Sequence, residues 1–388
     1  MKNKGMIIFI ICYLAYTSIY IARLNLSMAS PGLIDAGMLD SAQIGMMGSV
    51  FSVIYAFGRL LNGGLSDTTP PWRMISTGLL VAGVSNVAMG FFPPFMGMLI
   101  LWSCNAFAQS MLWSSVLCVV TAVYGEQKAK KMAPYLVTSV AVGNILGILI
   151  NTYIISVFGL NFAFVIPGAL TLIMGVIVVL SIRKVKSLAQ DYKKHLSIKE
   201  ILQESQIRTM IIPAMLHGVM KDNISLWMAV YFVDKFGIDL EKSAMFILFI
   251  PIIGFVGRTI YPLFFKLCSE NEHKVSVIGF VICVISSIPL ALGMVNPLTA
   301  SICLSLIYAA VSLINTSILS IFPIRFIKTG NVASISGIMD FATYLGAGIG
   351  SFVFGFVIKV AGYSPVYFSW AAISIVSLLL LRLLMKHD

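Results

Sequence analysis

Charge is the first thing this chain lacks. Asp, Glu, Lys and Arg together make up 11% of its 388 residues and apolar residues 59%. Typical soluble domains carry about 25% charged and 45–50% apolar residues. A water-soluble surface of the size implied by this length cannot be covered with so little charge, so a large soluble domain is excluded. Acids are the scarcer sign, 15 against 26 Lys and Arg, which leaves a net charge of +11. The basic residues are scattered singly through short loops rather than gathered into a stripe or groove, which excludes a nucleic-acid partner. The six cysteines (Cys12, Cys104, Cys118, Cys268, Cys283, Cys303) all lie inside apolar runs with no CxxC or CxxH spacing. They read as small apolar helix residues rather than disulfides or metal ligands. Paired catalytic carboxylates, a metal-ligand cluster, a nucleotide-binding loop and a nucleophile motif are all missing. An enzyme, an ATP-driven pump and a bound cofactor or metal are therefore not expected.

What the chain has instead is apolar length. A membrane span needs about 20 mostly apolar residues to cross roughly 30 Å of hydrocarbon. Twelve such segments are expected, at about 6–29, 43–66, 73–93, 96–123, 133–155, 162–182, 207–233, 243–267, 274–294, 297–323, 332–361 and 364–385. The first follows Lys2 and Lys4, runs through Arg23, and is too long for a cleaved leader. The longest polar stretch, Arg183 to Arg208, divides the spans six and six. The expected organisation is an all-α, polytopic chain: an N-terminal six-helix bundle over 1–182, a central loop over 183–206, and a C-terminal bundle over 207–388. With both termini inside, the outer loops hold only Lys235, Lys242 and Lys359. All other basic residues outside the spans fall in inner loops and tails. The positive-inside rule then sets both termini in the cytoplasm of a cell membrane, plasma or bacterial inner.

Four basic residues remain within spans: Arg23, Arg59, Lys221 and Arg258. Arg23 precedes Arg59 by 36 positions and Lys221 precedes Arg258 by 37. Both second members follow a glycine, in Gly58-Arg59-Leu60 and Gly257-Arg258-Thr259. Helices 1–2 and 7–8 thus look like copies of one unit, six helices apart and equally oriented. Parallel six-helix repeats with substrate held near the midplane are the layout of major facilitator transporters.

A charge near the bilayer centre is costly, so such residues face the interior and usually serve a function. On helix 1, Tyr16, Tyr20, Arg23 and Ser27 share one face; on helix 7, His217, Lys221 and Ser225 share another. Pseudo-symmetry would set these faces across a central cavity. Arg23 offers a planar fork to a phosphate or carboxylate, and Lys221 a point charge. An anion site is the functional reading, with a purely structural charge pair as the alternative. Asp222 and Asp340 are the deep acids, able to pair with a cation or to take up a proton. Asp222 follows Lys221 directly, and adjacent helix positions do not face each other. Arg59 and Arg258, near inner helix ends, suit gating or pairing. Asn105, Gln109 and Trp113, with Asn144, Gly147 and Asn151, line the cavity or bond between helices.

The loop Gly63-Gly64-Leu65-Ser66-Asp67-Thr68 resembles the loop signature of the major facilitator superfamily, with Thr68 where a basic residue is usual; Asp67 there reads as an inner-gate residue. Within that superfamily the chain is similar to the organophosphate:phosphate antiporters. The resemblance rests on Tyr20-Ile21-Ala22-Arg23-Leu24-Asn25-Leu26-Ser27-Met28-Ala29-Ser30-Pro31, on Tyr55 to Asp67, on Gly90-Phe91-Phe92-Pro93, and on Asp340-Phe341 with Tyr344-Leu345-Gly346. It implies that Arg23 and a second cation, at the position of Lys221, bind phosphate. It also implies a shared basic residue at Arg59, and a functional monomer. The chain departs from the family in having Lys for Arg at 221 and Ser139-Val140-Ala141 where helix 5 often carries a His.

The leading expectation is a carrier of small organic anions working by alternating access, exchanging an organophosphate for inorganic phosphate. The runner-up is proton-coupled symport of sugar acids or other carboxylates. A third reading is a ligand sensor of the same fold that does not transport.

Overall fold

The computed structural model describes residues 2–183, 201–329 and 332–385. Among these there are helices and turns but no strand. Most of the expected central loop lies outside the described residues. The helices are α1 (Lys2–Asp35), α2 (Ser41–Thr68), α3 (Pro71–Met89), α4 (Phe95–Ser110), α5 (Leu112–Tyr124), α6 (Glu126–Phe158) and α7 (Phe162–Ile182). After the central segment come α8 (Ser205–Phe236), α9 (Leu240–Thr259), α10 (Tyr261–Leu267), α11 (Glu272–Ala291), α12 (Pro297–Thr316), α13 (Val332–Ala361) and α14 (Ser364–Met385).

Local chemistry accounts for the ends. Proline opens α3 and α12, where its missing N–H costs nothing. Asn296 and Thr299 close a reciprocal capping box on α12. Gly237 stops α8 in the left-handed conformation that a side chain would strain.

Three expected helices are broken. The segment 96–123 divides at Met111 into α4 and α5, and 243–267 divides at Ile260, with Pro262 opening the short α10. The segment 297–323 passes into a wider π turn at Ser317–Ile321 and a tighter 3-10 segment at Phe322–Thr329. Pro323 has no N–H to give the Leu319 carbonyl four residues earlier. The Ser336 hydroxyl donates to that carbonyl instead, at 2.8 Å.

Among the described residues, ten helical segments are long and apolar enough to cross a bilayer. Helices α3 and α8 are not among them. Their polar residues, including Ser76, Ser85 and Asn86 on α3 and His217 and Asn223 on α8, are buried in protein. Such helices need less apolar surface than those facing lipid.

The chain separates into two compact units, residues 1–39 with 50–191, and residues 40–49 with 192–388. The first unit centres on Ile19, Ile75, Leu79, Val116, Leu136 and Val178 from α1, α3, α5, α6 and α7. Asn25 donates to Asn86 at 2.7 Å, Asn86 to Asn105 at 3.2 Å, and Gln109 also to Asn105 at 3.0 Å. This buried amide ladder ties α1, α3 and α4 together. In the second unit α8 and α13 touch backbone to backbone: a Cβ on Gly218 would strike the Thr343 carbonyl, and one on Gly346 the Met215 carbonyl. The first turns of α2 also belong to this unit. Just before α2, Lys359 donates to Asp40 at 2.7 Å. Burial alone would raise the Asp40 carboxyl, but Lys359 and backbone N–H bonds bring it below the usual range.

Candidate functional site

The first unit gathers its candidates around Arg23. Helix α1 turns Tyr16, Tyr20 and Arg23 to one side, with the Tyr16 ring 5.5 Å from Tyr20 and 5.1 Å from Trp113. The Arg23 guanidinium lies 4.6 Å from the Phe51 ring, 5.2 Å from Tyr55 and 5.9 Å from Tyr20. Arg59 approaches the same Tyr55 ring at 6.0 Å. Phe51, Tyr55 and Arg59 fall at i, i+4 and i+8 on α2, one stripe down one face. Phe51 and Tyr55 themselves lie nearly parallel, 6.0 Å apart. A guanidinium against rings engages them through its faces, while its N–H groups radiate in its own plane. That plane is the geometry by which arginine grips phosphate and carboxylate.

Phe51 escaped the sequence reading, and Tyr55 entered it only as part of a resembling stretch. The signal lay in their helical register with Arg59, which an apolar helix rich in aromatics hides.

The second unit centres on Lys221. Its ammonium lies 4.6 Å from the Tyr344 ring of α13 and 3.7 Å from a carboxylate oxygen of Asp222. The expectation that these adjacent residues would not meet is corrected here. Their Cβ atoms diverge, but the four-carbon lysine stem curls back far enough to pair. Asp340 is half-buried on α13, one turn before Tyr344, and Ser225 is half-buried one turn after Lys221 on α8. His217, one turn before Lys221, is fully enclosed, with Nε2 3.1 Å from the Val311 carbonyl of α12. Arg258 is half-buried one residue before the end of α9. The Asp67 side chain lies outside the described residues.

The amides suspected of lining a cavity instead bond between helices. Asn105 and Gln109 belong to the buried ladder, and Asn151 donates to the Ile21 carbonyl of α1 at 3.1 Å. Asn144 is half-buried on α6.

Comparison with known proteins adds what geometry cannot. The chain is 28% identical over 178 residues to a probable hexose phosphate transport protein of Chlamydia trachomatis, covering 46% of this chain and 39% of that protein. It thus matches less than half of that relative's length. A glycerol-3-phosphate transporter of Bacillus subtilis is 23% identical over 394 residues, which cover 92% of this chain and 87% of the transporter. Among solved structures, a point mutant of the nucleoside transporter NupG superimposes with a TM-score of 0.81 at 16% identity, over 98% of this chain and 99% of that one. At such low identity the likeness speaks for the fold alone. The model of the Major Facilitator Superfamily matches residues 8–351, nearly the full run of helices described above, and the chain belongs to that superfamily.

Proposed function

We propose that this protein is a secondary carrier of small organic anions that exchanges a phosphate ester for inorganic phosphate by alternating access. The observation that carries the reading is Arg23, a half-buried cation set among the rings of Phe51, Tyr55 and Tyr20 in the middle of an apolar helix. A charge costs several kcal/mol to hold in such surroundings. Cation–π contacts offset part of that cost, about 0.5–2 kcal/mol each, and a bound anion would offset more. Hexose phosphate and glycerol phosphate enter as candidates from the names of the two relatives. Lys221 serves as the second cation, with Tyr16, Tyr20, His217, Ser225 and Asn144 as supporting polar groups. Arg59, Arg258 and Asp67 belong to gating, Asp340 to charge balance. The protein works as a monomer, with both termini in the cytoplasm.

The test is exchange in proteoliposomes loaded with phosphate. Labelled phosphate should enter and be competed by a sugar phosphate or by glycerol 3-phosphate. Arg23→Ala should cut kcat/KM about 10- to 100-fold, the cost of losing hydrogen bonds to a charged group. Arg23→Lys should recover only part of it, since an ammonium cannot form the planar fork. Folded protein that shows no exchange, or that exchanges equally well as Arg23→Ala, rules the reading out. Binding without turnover would point to a sensor.

A further inference from the structure

Asn223 follows Lys221 on α8 by two positions, about 200° around the helix, and so turns to the opposite face. On that side α8, α12, α13 and α14 surround a cavity within the second unit. Leu304, Ile358, Val366 and the rings of Tyr363 and Tyr367 form much of its wall. It offers about 10 Å³ to the centre of a water molecule, close to the room that one ordered water needs.

Asn223, Trp227 and Trp370 also line the cavity. They are 0%, 5% and 2% exposed. Asn223 Oδ1 and both indole Nε1 atoms have no hydrogen-bond partner among the described residues. The orientation of the amide is fixed by its other end: Nδ2 donates to the Val219 carbonyl at 2.8 Å and to the Ala347 carbonyl of α13 at 3.3 Å. Only the nitrogen can serve two carbonyls, so the oxygen is the end that must accept. Rings confine the Trp370 indole, with Tyr367 edge-on at 5.2 Å and Phe354 tilted at 6.2 Å. A buried donor or acceptor without a partner is costly. Here two donors and one acceptor meet at one cavity.

We propose that this cavity is a binding site for a single water molecule, which links α8 to α14 and, through Asn223, to α13. The lone pairs of the water accept from Trp227 Nε1 and Trp370 Nε1, and one O–H donates to Asn223 Oδ1. Three bonds are what a buried water typically makes. The polar set argues against a charged guest, since an anion would face the amide oxygen and a cation two N–H groups. The volume argues against a larger neutral one. The water thereby ties the back of the helix that carries Lys221 to its neighbours through bonds that break and re-form without moving a side chain. The inference is independent of the carrier reading, and its test needs no transport.

The experiment is pulsed X-ray footprinting of the full chain in lipid nanodiscs, with water itself as the probe. Radiolysis of a bound water releases hydroxyl radical beside buried side chains, and Met228 on the cavity wall is the reporter. Met98 is the control, because both methionines are 4% exposed and share the same intrinsic reactivity. In the wild type, Met228 should be oxidised well above Met98. The double variant Trp227→Phe, Trp370→Phe removes both donors, and a cavity left so apolar stays dry. Its Met228 oxidation should fall to the level of Met98. Equal oxidation of the two methionines in the wild type overturns the inference. So does Met228 oxidation that persists unchanged in the folded double variant, because the radical then comes from elsewhere. If the double variant does not fold, each single variant removes one donor and identifies its indole in ultraviolet resonance Raman difference spectra against the wild type. Both N–H groups should give the hydrogen-bonded signature. The unbonded signature from either one overturns the proposed bridge.

Discussion

Tyr55 lies 5.2 Å from Arg23 and 6.0 Å from Arg59, and Phe51, stacked on Tyr55, lies 4.6 Å from Arg23. A ring face attracts a cation through its quadrupole, and the attraction grows as water is excluded. Phe51 therefore does more than fill space: its ring lies 4.6 Å from the guanidinium carbon. Phe51→Leu keeps most of the volume and removes the π face. It should raise KM for phosphate exchange about 2- to 30-fold, from the roughly 0.5–2 kcal/mol of one such contact, with little change in thermal stability. A KM within error of the wild type would show that the ring is mere packing. At this scale the cations were legible from sequence, because a charge in an apolar run stands out. Their aromatic partners were not, because Phe and Tyr in an apolar helix offer no contrast. The Asn25, Asn86, Asn105 and Gln109 ladder was legible only as an open choice. A buried amide bonds equally well to a ligand or to a neighbouring helix, and only the partner's position decides.

Helices α8 and α13 show what an element demands of single positions. A methyl group on Gly218 would run into the Thr343 carbonyl, which is backbone and cannot turn aside. Overpacking typically costs 1–3 kcal/mol and sometimes more, and a contact with rigid backbone belongs at the upper end. Gly218→Ala should therefore lower the melting temperature in detergent markedly, by about 3 kcal/mol of stability. Gly337 on the same α13 supplies the control, since nothing lies within 4 Å of where its Cβ would be. Gly337→Ala should be neutral or stabilising by up to about 1 kcal/mol, the helix-propensity gain. Equal losses in both variants would deny the close contact. Element existence was largely written in the apolar runs, and the breaks were not. The break after Thr316 depends on Pro323, but whether a proline kinks a helix or ends it turns on who satisfies the abandoned carbonyl. Here that donor is Ser336, on the next helix. Position 336 carries no sequence signal linking it to Leu319.

Across the whole molecule the scarce charges do two jobs, and their separation is the most readable feature of the chain. Four basic residues lie within expected spans, and the rest divide unevenly between the two sets of loops. Only Lys235, Lys242 and Lys359 fall on the set assigned to the outside. Inverting the chain would require the far larger basic set to cross the membrane, which insertion resists. Within the two compact units, residues 40–49 of α2 group with the second, a property of packing that no local pattern announces. The orientation itself can be decided with reporters. The turn at Gly237 joins α8 to α9 and is flanked by two of the outer lysines. Alkaline phosphatase, which folds only outside the cytoplasm, should be active when inserted after Gly237 and inactive when fused after Asp388. A fluorescent protein that matures only in the cytoplasm should show the reverse. Phosphatase activity at Asp388 with silence at Gly237 would mean that the basic loops face outward. Gating roles assigned to inner-end residues such as Arg59 and Arg258 would then have to move to the opposite face.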